Sequence, residues 1–160
     1  MTKMKSDIMK EQYTICTPKQ LPVAKGWIEL SVDLWCHRAH LFIGSHTEMY
    51  DNYKEYFARH SLEQTIVENW FRRHPSADSL NSGDSFGESG HIFIRINPFV
   101  LGDLDSIAIL AHECLHAANG ILRYVGVMGD DNVEVLAYTQ EFIFKGLMQK
   151  IMQNDIAPLK

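Results

Sequence analysis

Five consecutive residues, His112-Glu113-Cys114-Leu115-His116, carry the most readable chemistry in this chain. On an α-helix, side chains four apart lie one above the other, so His112 and His116 present two imidazoles on one face. That separation fits two corners of a tetrahedral zinc site. Glu113 stands one step round from His112, near enough to reach a water on the metal and badly aimed to be a third ligand beside the pair. It is the expected general base. Water held by zinc has its pKa drawn down to about 7, and a carboxylate beside it can take that proton and later hand it to a leaving amine. The flanking residues Ile107, Ala108, Leu110, Ala111, Ala117 and Ala118 are apolar. They predict a largely buried helix, in which an imidazole pair needs a partner to offset desolvation, and Zn2+ supplies one.

A catalytic zinc takes three protein ligands and keeps a fourth position open. The short-spaced pattern HExxHxxGxxH is excluded, because Asn119 stands where its Gly belongs and Leu122 where its third His belongs. The third ligand is therefore expected from the next helix. There Glu134 and Glu141 share one face, with Tyr138 between them. Glu134 is the expected ligand, since the first turn of that helix can fold back across a short link. A competing role is open to it: Asp131 to Glu134 has the spacing of an N-terminal capping box. Glu141 is the alternative ligand, with Asp130 and Asp131 behind it. Tyr124 and Tyr138 are candidate oxyanion stabilisers, although either could be an ordinary core aromatic. A helical rotation of about 100° per residue turns Cys114 away from the histidine pair, and it suits a small buried apolar role. Cys36, His37, His40 and His46 match no zinc-finger or ribbon spacing and are expected on a hairpin surface.

The elements that must position these groups follow from periodicity. Residues 1–24, punctuated by Pro18 and Pro22, read as a loosely ordered lead-in to one domain over 25–160. Trp27 to Trp35 alternates apolar and polar side chains and predicts a half-buried strand, with Trp27 and Trp35 on the side left open for a partner. Residues 39–43 predict a second strand in a hairpin with the first. Ser45 or Thr47 can cap a helix to about His60. Residues 65–72 fit helix or strand equally. Residues 75–90, rich in Ser, Gly and Asp, predict a long loop. Residues 91–97 predict a strand. Asp103 or Asp105 can cap the motif helix, which runs to Gly120 or Gly126. A last helix spans about 132–153, capped by Asp130 or Asp131, with Val133, Leu136, Ile143, Leu147 and Ile151 as its packing stripe. The expected fold class is α+β, a small sheet of about three or four strands packed on helices, the motif helix lying across it.

Composition excludes several function classes. The net charge is −5 over 160 residues, and no basic tract is dense enough to neutralise a run of phosphates, so nucleic acid is not an expected partner. Three widely spaced cysteines without a CxxC suit reduced thiols. No apolar segment approaches the ~20 residues of a membrane span, and the N-terminus shows no apolar export core. The expectation is a cytoplasmic protein.

Residues 91–151 resemble a known family. The sequence Leu110-Ala-His-Glu-Cys-Leu-His-Ala117 and the downstream Glu134-Val-Leu-Ala137-Tyr138-Thr-Gln-Glu141 are similar to the zincin peptidases of the gluzincin type. The nearest likeness is to the small metallopeptidases of tailed phages and prophages. The resemblance implies zinc-dependent peptide-bond hydrolysis in a host cytoplasm, with Glu113 activating zinc-bound water and His112, His116 and Glu134 holding the metal. It also implies a peptide substrate paired along an edge strand beside the metal, here expected to be 91–97, with the preceding Ser/Gly-rich loop as a lid. The larger relatives' Asn-Glu-x-x-Ser-Asp segment is absent after Asn132. A zincin-fold protein that binds zinc for a structural or regulatory purpose, without catalysis, is the alternative.

Overall fold

The structure is a computed structural model that describes residues 23–73, 83–127 and 132–158. Its centre is a mixed four-stranded sheet in the order β2-β3-β5-β4. Strands β2 (Gly26–Val32) and β3 (His37–Ile43) form the expected antiparallel hairpin, with Glu29 opposite His40. From β3 the chain crosses through α1 (His46–Arg59) and α2 (Gln64–Arg73) to β4 (Gly83–Glu88), then turns back into β5 (His91–Ile96). Strand β5 runs parallel to β3 and antiparallel to β4. A two-stranded antiparallel sheet pairs β1 (Val23–Ala24) with β6 (Phe99–Val100). Two long helices follow, α3 (Leu104–Tyr124) and α4 (Val133–Met152). The architecture is α+β, with a small mixed sheet and four helices.

Alternation along the strands sends successive side chains to opposite faces, and here both faces are covered. Ile28, Leu41, Ile92, Ile94 and Ile96 meet Leu110, Cys114, Ala118 and Ile121 of α3 and Ile143 and Leu147 of α4. On the other face Trp27, Phe42 and Phe93 meet Tyr53, Tyr56 and Phe57 of α1 and Trp70 of α2. Full burial of each such side chain contributes about 1.5–3 kcal/mol. Trp27 is stacked on Tyr56, with ring centroids 4.4 Å apart. The expectation of an exposed Trp27 is thus overturned, because α1 and α2 cover the face that looked polar. The first strand also stops at Val32. Asp33–Trp35 form a 310 turn that leaves Leu34 81% exposed.

Local signals fixed the helix starts. Ser45 makes a complete capping box with Glu48 ahead of α1. Residues 64–73, ambiguous in sequence, are helical. Asp103 caps α3 by accepting from the Ser106 N–H at 2.8 Å, and these hydrogen bonds hold its carboxyl below the usual range. At the other end the Val127 N–H donates to the Leu122 carbonyl at 2.9 Å and the Gly126 N–H to the Arg123 carbonyl. With Gly126 at φ +75°, this is a Schellman stop. Helix α4 begins at Asn132, whose side chain makes no capping bond. Asp130 and Asp131, expected as caps, lie outside the described residues, as does almost all of the 1–24 lead-in.

The expected loop over 75–90 needs correction. Its first part lies outside the described residues, but Gly83–Glu88 is a strand. Ser89 (φ +51°) and Gly90 (φ +82°) form the two-residue turn into β5. Two positive φ values in such a turn suit the right-handed twist of a hairpin. In consequence β5 is interior, and β4 is the edge of the sheet.

Candidate active site

Helix α3 sorts its side chains by angle. Leu110, Cys114, Ala117, Ala118 and Ile121 face the sheet, and His112 and His116 face away from it. The two Nε2 atoms lie 3.0 Å apart, with the rings nearly perpendicular. Both imidazoles are exposed, so the expectation of a buried pair is corrected: the apolar flanks bury the helix, and the histidines sit on its open side. Glu113, one step round, is buried at 5% exposure. Burial raises its carboxyl above the ordinary range, opposed by His112 and reinforced by Asp84. A neighbouring Arg95 also opposes the rise.

The wall facing Glu113 is β4. A Cβ added to Gly83 would sit 2.7 Å from the Glu113 Cγ and 3.0 Å from its Cδ and Oε1. Only a residue without a side chain lets the strand pass this closely. The strand is anchored there by Asp84, whose Oδ2 accepts from the Nε of fully buried Arg95 at 2.7 Å. Arg95 also donates to Asn97 Oδ1 at 3.2 Å. Between β4 and α3 lies a cleft of about 610 Å³, lined by Gly83, Asp84, Ser85, Phe86 and Gly87 on one side. His112, Glu113, His116, Asn119, Gly120 and Arg123 line the other, with Ile92 at its floor. That volume lies within the usual range for a ligand site. The edge strand expected at 91–97 is therefore replaced, among the described residues, by 83–88, because hairpin return places β4 outside β5.

No protein-family model, curated protein or solved structure matches this chain. The site's meaning rests on its own geometry.

The remaining candidates stand elsewhere. Among the described residues, no three His, Cys, Asp or Glu side chains are gathered closely enough to hold a metal ion. Glu134 and Glu141 are exposed on α4, and Glu141 is engaged by Lys145 one turn on. Helix α4 packs on α3 through its opposite side, where the Gln140 Nε2 donates to the Ala111 carbonyl at 3.1 Å. Glu134 is nine residues from fully buried Ile143, half a revolution round the helix. Tyr138 lines a separate apolar groove with Leu34, Trp35 and Phe142. Tyr124 sets its ring edge-on to His37. Neither tyrosine lines the cleft, so neither is placed to stabilise an oxyanion there. Cys114 is fully buried, and desolvation pushes its thiol up to about 12, which suits the apolar role expected of it.

The Cys36, His37, His40 and His46 group is dispersed. The His37 Nδ1 meets the Trp35 carbonyl at 2.6 Å, and His46 packs edge-on to Phe71. Cys36 is exposed. His37, His40 and His46, all expected on a surface, are buried, and His40 lies under α1 stacked on Phe93. Its Nε2 meets the His91 Nδ1 at 2.9 Å. Desolvation, aided by His91, Arg38 and His60, lowers its pKa to about 3. Sequence reasoning missed Gly83, Asp84 and Arg123 as cleft residues. The Gly-Asp pair was visible only as loop composition.

Proposed function

We propose that this chain is a zinc-dependent peptidase of the small zincin type, with the β4–α3 cleft as its active site. The observation that carries the reading is the convergence of two exposed imidazole nitrogens beside a buried carboxylate, on the wall of a cleft bounded by an open sheet edge. The donor chemistry fits zinc: neutral imidazoles at this separation suit two corners of its coordination sphere. His112 and His116 would hold the ion. Glu134, the third ligand expected from the sequence, and Glu141 stand exposed on the side of α4 turned from α3, so neither joins the pair in this arrangement. Bound zinc would supply Lewis acidity to the water and to the scissile carbonyl.

The chain's own groups do the rest. Glu113 takes a proton from the attacking water and returns it to the leaving amine. Gly83 lets β4 itself pass close to that carboxylate, and the edge of the strand offers main-chain hydrogen bonds to an extended peptide. Among the described residues, no helix is long and apolar enough to cross a membrane. The sequence reading sets the proposed action on peptides in a cytoplasm, that of a host if the chain is phage encoded.

A zinc-binding module without catalysis is the second reading; it would need the ion's fourth position filled by a protein side chain. One experiment separates them. Zinc content is measured on purified protein, and turnover is followed on an unbiased peptide library. Cleavage that disappears in Glu113→Gln while zinc is retained supports the peptidase; a zinc-loaded protein that cuts nothing overturns it.

A further inference from the structure

We propose that Arg123 makes this cleft select a carboxylate on the peptide, about three residues from the bond that is cut. The proposal rests on the peptidase reading and adds the substrate's charge. The cleft has a direction. Gly83 of β4 lies against Glu113 at one end, while Gly87 and Gly120 both approach the Ile92 Cδ1 further along. Strand and helix therefore run side by side from Glu113 towards Arg123, which lines the same cleft. Arg123 is seven residues beyond His116, nearly two full turns, and so on the same face. The rise is about 10 Å, which an extended peptide covers in about three residues.

The guanidinium is available. Arg38 is paired with Glu29, Arg59 with Glu55, Arg95 with Asp84, and Arg72 bonds to Asn69. Arg123 is exposed and its side chain has no ion pair or hydrogen bond with a described residue. Small residues make up much of the wall between it and Glu113: Gly83, Ser85 and Gly87 on β4, and Ala117 and Gly120 on α3, with Phe86 and Asn119 beside them. Of the charged groups lining the cleft, Asp84 is already engaged by Arg95, which leaves the Arg123 guanidinium to meet an acidic group at its own end. A guanidinium can meet a carboxylate with two parallel hydrogen bonds, stronger than a neutral contact. The carboxylate could be an Asp or Glu side chain or the peptide's own C-terminus.

The test maps cleavage sites by mass spectrometry, using the zinc-loaded full chain and ten-residue peptides. These carry one Glu or one Lys at each position, with free or amidated C-termini. The expected result is about tenfold faster cleavage when Glu lies about three residues from the cut on one side, and inversion to a Lys preference in Arg123→Glu. An advantage confined to free C-termini assigns the site to the terminal carboxylate; one that survives amidation assigns it to side chains. Cleavage indifferent to charge, or a preference unchanged in Arg123→Glu, overturns the proposal and leaves the peptidase standing. If nothing is cut, the peptidase reading fails and fluorescence anisotropy on Glu113→Gln decides instead. Tighter binding of Glu peptides that Arg123→Glu inverts supports carboxylate selection, and equal binding overturns it.

Discussion

The closest approach in the site is the one most open to test. A methyl group at position 83 would lie 2.7 Å from the Glu113 Cγ and 3.0 Å from its Cδ and Oε1. Ordinary carbon contacts need about 3.5–4.0 Å, so Gly83→Ala forces a separation of about 1 Å. The displacement cannot be absorbed by the far end of a loose side chain, since three consecutive atoms of a buried carboxylate are crowded together. Either Glu113 turns to another rotamer or the edge strand moves outward. Both move the proposed base relative to the peptide. A 1 Å misplacement costs about 100-fold in rate, and the loss is expected in kcat with zinc content unchanged. Steady-state kinetics on a cleavable peptide, alongside metal analysis, reads both. Wild-type kcat in Gly83→Ala would refute the claim that β4 and Glu113 together form the reactive wall.

Three further outcomes are expected. His112→Ala should lower zinc affinity by at least tenfold in a competition titration with a chelator, while Glu134→Ala and Glu141→Ala, on the side of α4 turned from α3, should leave it unchanged; a comparable loss in Glu134→Ala would show that this carboxylate reaches the metal. Asp84→Ala strands the buried Arg95 guanidinium, and loss of one partner of a buried pair costs about 3–5 kcal/mol, measurable by urea unfolding. A loss below ~1 kcal/mol would show that Asp84 does not anchor the edge. His40 sets an acid limit on the fold. Its pKa falls from 6.5 unfolded to about 3 folded, so between those values the unfolded chain binds the extra proton. Stability is full above pH ~6.5 and declines as pH falls, with the His40 contribution about 2 kcal/mol lower at pH 5 than at pH 7. His40→Phe should remove that slope in pH-dependent unfolding, and an unchanged slope would assign it to another group.

The motif helix, its start at Asp103 or Asp105, the hairpin and a helix start at Ser45 or Thr47 were all legible, because each is written in residues a few positions apart. The edge strand was not. Gly83-Asp-Ser-Phe-Gly-Glu88 has poor strand propensity, and it becomes a strand only by pairing with β5 across the Ser89-Gly90 turn. Reading it as loop in turn made 91–96 look like the edge. The orientation of Glu134 was partly available: Leu136, Ile143 and Leu147 already marked the buried side of α4, and Glu134 lies off that side. Nothing local revealed that Trp27 would be covered, since the covering rings come from α1 and α2. Arg123 could be seen as sharing the His116 face, but a cleft beside that face follows only from where β4 lands.

Among the described residues β4 has no strand on its outer side, and such an edge invites the same strand of a neighbouring molecule. The six residues 83–88 limit that hazard by being brief and poor in apolar side chains. Two such strands brought together would gain only a few hydrogen bonds and little apolar burial. Lengthening the strand, or giving it apolar side chains on its open margin, would remove that safeguard.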